Sequence, residues 1–83
     1  MPRSRLVWLE IADQQYRELS DATRALVDRR LVQLVENPIA DPDADYNERS
    51  DQWSVPVGTD GLQFYAVVRD PPTVIVLRLV SFA

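Results

Sequence analysis

Apolar residues first run together over Arg5–Leu9, then recur at spacings of three and four as far as Glu36, and from Gln52 onward alternate with polar ones. The short opening run, β-branched and aromatic, predicts a strand. Ala12, Tyr16 and Leu19, separated by Asp13, Gln14, Gln15, Arg17 and Glu18, form one apolar stripe and predict a short surface helix. Ser20 is placed to cap a second helix, its hydroxyl accepting from first-turn amides while Asp21 adds favourable charge at that end. Val27, Leu31, Leu34 and Val35 make the stripe of this helix, with Leu26 beside it and Arg24, Asp28 and Gln33 facing away. Asn37-Pro38 ends it, because proline cannot continue the ladder and disfavours helical geometry in the residue before it.

In the last third, Trp53, Val55 and Val57 alternate with Gln52, Ser54 and Pro56, which predicts a strand with one buried face. Pro56 lacks a donor and marks it as an edge strand. After the turn Gly58-Thr59-Asp60-Gly61, a further strand sets Leu62, Phe64, Ala66 and Val68 against Gln63, Tyr65, Val67 and Arg69, with the first set expected toward the helices. Asp70-Pro71-Pro72 connects to the last strand, in which Ile75, Leu77 and Leu79 are expected inward and Val74, Val76, Arg78, Val80 and Phe82 outward. Both of its faces are apolar, the pattern of a central strand whose outer face something covers. The expected fold is therefore α+β, one domain over residues 1–83. Its order is strand, helix, helix and three-strand meander, with two helices on one face of a four-stranded, mainly antiparallel sheet. The Asp-rich stretch Ile39–Asp51, with Tyr46, Arg49 and Asp51, reads as a solvated loop.

Composition removes much chemistry. There is no histidine and no cysteine, so the usual imidazole base, zinc site and thiolate nucleophile are absent. All nine positive charges are arginine, which leaves fork-shaped recognition of carboxylate or phosphate but no Schiff-base lysine. A net charge of −4 opposes non-specific attraction to nucleic acid. Asp41, Asp43 and Asp45 alternate without the glycine and terminal glutamate of a calcium loop, so neither a metal nor another cofactor is expected. No apolar run has the length of a membrane span or a signal peptide, and a cytoplasmic protein is expected.

The element order, with Leu34-Val35-Glu36-Asn37-Pro38 closing the second helix, Trp53-Ser54-Val55-Pro56-Val57-Gly58 opening the meander and Val76-Leu77-Arg78-Leu79-Val80 in the last strand, resembles the RelE/ParE superfamily of type II toxin–antitoxin toxins. The resemblance covers nearly the whole chain. It implies a cognate antitoxin as partner and a ribosome or DNA gyrase as target. Members that cut ribosome-bound messenger RNA carry basic groups on the outer sheet face. Carried over without gaps, those positions hold Ser54, Pro56, Gly61 and Phe82 here. Such a chain is expected to act by binding, as ParE-like members do, rather than by RNA cleavage.

Three readings of the outer face follow. Val74, Val76, Arg78, Val80 and Phe82 form an apolar surface with one charge, which an antitoxin segment would cover. A homodimer through the same face, in a chain serving only as an inert interaction domain, would cover it equally well. A ribosome-dependent endoribonuclease would instead need a non-standard set, for which Tyr65, Arg69 and Arg78 are the candidates. For Arg78 the competing reading is a pair with an acidic neighbour of its own chain. For Tyr65 and Arg69 it is ordinary cross-strand packing. Trp8 and Trp53 are expected in the core.

Overall fold

The apolar stripes of two helices close on one face of a sheet. A computed structural model describes residues 4–39, 42–59 and 61–81. The elements are β1 (Arg5–Trp8), α1 (Glu10–Glu18), α2 (Asp21–Glu36), β2 (Asp45–Asn47), β3 (Gln52–Val57), β4 (Gly61–Arg69) and β5 (Pro72–Ser81). The sheet is five-stranded, in the order β1-β5-β4-β3-β2, with β1 parallel to β5 and every other pair antiparallel. The parallel pair follows from the helical crossover, and the antiparallel pairs follow from tight connections. The fold is α+β as expected, with one strand more. None of the helices described is long and apolar enough to cross a membrane.

The helices form where the spacing placed them. Ser20 Oγ accepts from the Thr23 amide at 3.2 Å, which satisfies one of the free donors of the first turn of α2. Ala12, Val27 and Leu31 pack with Val57, Val76 and Leu79 into one buried cluster, against which Trp8, Tyr16, Leu19 and Leu26 lie partly buried. Leu34, Val55, Tyr65 and Val74 form a second, flanked by Trp53 and Val67. The two tryptophans thus take the core positions expected of them. Trp8 meets Tyr16 edge-on at 5.1 Å. Tyr46, Trp53 and Tyr65, directly opposite one another on β2, β3 and β4, form an aromatic row with centroid separations of 4.8 and 6.3 Å.

β2 lies inside the stretch read as loop. Asn47 Oδ1 accepts from the amides of Arg49 and Ser50, a turn that folds Asp45–Asn47 back onto Gln52–Ser54. β3 is therefore not the sheet edge along those residues. Pro56 lies past the end of β2, where its missing donor has no neighbouring strand on that side.

The face assignment of β4 and β5 differs from expectation. Gln63, Tyr65 and Val67 point to the helices, and Leu62, Phe64, Ala66 and Val68 to the other face. In β5, Val74 and Val76 are fully buried on the helix side, whereas they were expected outside. Leu77 is an extra residue: Phe64 pairs with Arg78 and Tyr65 with Val76. This bulge shifts the phase, so that Leu79 returns to the helix side as expected although Ile75 and Leu77 do not take the inward positions assigned to them. The Leu79 amide, beyond the end of β1, donates to Gln15 Oε1 of α1 at 2.7 Å.

Gln63 is the anomaly of this interior. It is fully buried opposite Val55 and Leu79, and neither its Oε1 nor its Nε2 meets a partner among the described residues. An unsatisfied buried amide costs about 1–3 kcal/mol. Gln63→Met, close in volume and free of polar hydrogen-bonding groups, is expected to raise the urea midpoint with an unchanged slope, a gain of about 1–3 kcal/mol. A loss of stability would show that the amide is satisfied in solution.

Tyr16 links the two helices, its hydroxyl donating to Asp28 Oδ1 at 2.7 Å. This hydrogen bond, with some desolvation and the carboxylate's charge, raises the phenol pKa above its usual 10.0. The stabilisation is therefore fully present below the unfolded-state value and is lost as pH rises through the folded one. In an ultraviolet titration of the phenolate, Asp28→Asn is expected to move one tyrosine to lower pH. An unchanged curve would show that the contact contributes nothing in solution.

Candidate partner-binding face

The sheet face opposite the helices is built from alternate residues of its strands. β2 contributes Asp45 and Asn47, β3 contributes Gln52, Ser54 and Pro56, and β4 contributes Leu62, Phe64 and Ala66. From β5 come Ile75, Arg78 and Val80. The face is apolar along β4 and β5, as expected, but through a different set. Ile75, Phe64 and Leu62 stand where Val74 and Val76 were expected, and Val80 is exposed as expected. Phe82 lies outside the described residues. The exchange is possible because both faces of β4 and β5 carry apolar residues.

Arg78 lies over the Phe64 ring, its guanidinium carbon 4.1 Å from the centroid. This geometry is worth about 0.5–1 kcal/mol at an exposed site. The expected acidic partner within the chain does not materialise among the described residues. Beside this pair, Asp45, Asn47, Gln52 and Ser54 line a groove of about 370 Å³. Neither Ser54 nor Pro56 supplies a cation to it, and on this face of β3, β4 and β5 Arg78 is the one cation among the described residues.

The expected cluster of Tyr65, Arg69 and Arg78 does not form. Tyr65 is fully buried on the helix side, where its ring stacks on Trp53 at 15° and its hydroxyl donates to the Pro38 carbonyl at 3.0 Å. Arg69 ends β4, five positions from the Phe64 that pairs with Arg78, about 17 Å along a strand. There it lines a separate, mainly apolar groove of about 330 Å³ with Ser4, Pro38, Ile39 and Val68.

Gly61 is buried in the β4–β5 pair. A Cβ built there would lie 2.2 Å from the carbonyl oxygen of Val80, so no side chain fits without moving backbone. Ser54 stands at an outer-face position that the resemblance marks, whereas Asp45 and Phe64 were not placed on this face from the sequence. For Asp45 the signal was the Asn47-to-Asp51 run of turn-forming residues, which folds β2 beside β3, and Phe64 reaches the groove through the phase of β4.

No protein-family model matches the sequence, and no curated protein is significantly similar to it. Solved structures do match. The YoeB/ParE toxin from Agrobacterium tumefaciens superposes with a TM-score of 0.80 over 95% of this chain and 99% of that one, at 15% identity. The RelBE2 toxin–antitoxin complex from Mycobacterium tuberculosis gives 0.81 over 96% and 99%, at 16% identity. A mutant of the E. coli toxin RelE in complex with an antitoxin RelBc peptide gives 0.79 over 99% and 85%, at 20% identity. The chain thus has the fold of the RelE/ParE toxins, and the resemblance read from its motifs holds at the level of architecture.

The two candidate residues on opposite faces separate by stability. Tyr65→Phe loses the hydrogen bond to Pro38 and is expected to cost about 1 kcal/mol. Arg78→Ala, at an exposed site, is expected to cost about 1 kcal/mol or less, and Tyr65→Ala about 3–5 kcal/mol. Chemical denaturation of the three variants checks the order. A Tyr65→Ala protein as stable as Arg78→Ala would contradict the buried placement of the ring.

Proposed function

We propose that this chain is the toxin-like component of a type II toxin–antitoxin pair, acting in the cytoplasm, which binds a cognate antitoxin and reaches its cellular target by binding rather than by cutting RNA. The observation that carries the second half of this reading is the outer sheet face. Over β3, β4 and β5 it offers one guanidinium among the described residues, stacked on Phe64, with Asp45 lining the same groove. Stabilising a scissile phosphate calls for several convergent donors or cations, and a carboxylate alongside opposes them. Gly61 has no room for a side chain, so the cation that the resemblance places there has no substitute at that position. The first half is supported by the fold-wide likeness to toxins, two of them in complex with antitoxin.

Within this reading the antitoxin segment lies across Ile75, Phe64 and Val80, and Arg78 takes a carboxylate from it. Apolar contacts supply area and the single charge selects register. The target is a macromolecule such as gyrase or the ribosome, engaged through surface rather than through chemistry.

Tightly induced expression of the chain in a bacterial host, with growth, messenger RNA integrity and DNA supercoiling followed together, tests the mode of action. Arrest with intact messenger RNA is expected, relieved by co-expression of the product of the neighbouring small gene. Arg78→Glu is expected to weaken capture of that product by about tenfold or more while the far-ultraviolet spectrum is preserved. Arrest accompanied by messenger RNA cleavage would overturn the binding mode. Normal growth without capture of any neighbouring product would overturn the toxin–antitoxin reading itself.

A further inference from the structure

The two edges of the sheet are unlike. At one end β2 is three residues long, and Asp45, Asn47 and the following Glu48 make it polar. At the other end β1 carries no proline, no glycine and no acidic residue. Proteins protect open strand edges with charge, proline or brevity, and beyond its brevity β1 has one such device, Arg5. Leu6 is 39% exposed and Val7 45%, so both faces of the strand are open to solvent. Leu9 at 42% and Ile11 at 57% continue this apolar run.

The backbone phase of β1 identifies which groups are free. The Leu9 amide donates to the Val76 carbonyl at 3.1 Å while its carbonyl accepts from the Asp13 amide of α1, so the phase set by that amide turns the backbone groups of Val7 and Arg5 toward β5. Leu6 and Trp8, alternating with them, turn their N–H and C=O groups to the edge, beyond which no strand lies among the described residues. Ser4 ends the open stretch, since its amide donates to the Val35 carbonyl of α2 at 2.8 Å.

We propose that β1 pairs antiparallel with β1 of a second copy of this chain across a two-fold axis at Val7. An antiparallel pair requires that opposed residues both face the partner, and placing Leu6 against Trp8 of the second copy meets this for both strands at once. Leu6 and Trp8 then exchange two reciprocal pairs of backbone hydrogen bonds, and the two Val7 side chains meet on the axis. The same register sets Arg5 across from Leu9 of the second copy, one residue from its Glu10. Neither Arg5 nor Glu10 has an ionic partner among the described residues of its own chain. The six residues Arg5–Glu10 are thus self-complementary in hydrogen bonding, in apolar surface and in charge, as an isologous interface demands. The result is one continuous sheet with β2 at both ends, and the outer-face groove of each copy stays open. This pairing is independent of the proposed function.

Sedimentation equilibrium of the full chain from about 1 to 500 µM is the test. A reversible monomer–dimer equilibrium is expected. Val7→Arg, which places two guanidinium groups on the axis, is expected to leave only monomer with an unchanged far-ultraviolet spectrum. Leu6→Pro removes an edge-facing donor without touching the ladder to β5, and is expected to do the same. Should Leu6→Pro fail to fold, Val7→Arg decides alone. Wild-type protein monomeric throughout, a dimer that survives Val7→Arg, or open-ended association rather than a dimer would each overturn the pairing.

Discussion

The ring of Tyr65 is held on the helix side of the sheet by Trp53 beneath it and by a hydrogen bond from its hydroxyl to the Pro38 carbonyl. Because side chains alternate across a strand, this one placement assigns the face of every residue of β4, and cross-strand pairing passes the assignment to β3 and β5. Phe64 and Ser54 go outward and Val55 inward as a consequence. The hydrogen bond also pins the chain just after α2, so the same contact sets where the helix ends relative to the sheet. Arg30 reinforces that docking, its Nε donating to the Pro56 carbonyl at 3.1 Å.

The bulge at Leu77 is the second constraint. Without it, Arg78 could not oppose Phe64 while Val76 opposes Tyr65, and the guanidinium would be forced toward the core or the apolar positions would lose their phase. The bulge lets Val74, Val76 and Leu79 all face the helices while Arg78 faces solvent. Past the end of β1, the amide of Leu79 is taken by Gln15 of α1, which spares a buried donor the cost of going unpaired.

Where a single signal decided, the sequence was readable. Ser20 as a cap, the stripes of both helices and the stop at Asn37-Pro38 all stand in the fold, because polar residues on their other faces leave one orientation. The two meander strands were readable as strands but not in phase. Leu62, Phe64 and Ala66 are as apolar as Tyr65 and Val67, and hydrophobicity alone prefers Phe64 to Gln63 in a core. Tertiary contacts overrode that preference through the tyrosine hydroxyl and the bulge, neither of which has a periodic signature. β2 was hidden because Asp45 and Asn47 are poor strand formers, and pairing with β3 is what makes them a strand. The candidate face suffered most: its apolar character was legible, whereas its membership depended on phase.

Gln63 also divides the interior. It lies opposite Val55, which belongs to the cluster around Leu34 and Tyr65, and opposite Leu79, which belongs to the cluster around Ala12 and Leu31. The core is therefore two apolar bodies with a polar seam between them rather than one continuous mass. α1 contributes only to the cluster containing Ala12, while α2 spans both. The aromatic row of Tyr46, Trp53 and Tyr65 belongs to the body that α1 does not reach, so a local opening of α1 away from β5 uncovers the other body and leaves that row sealed.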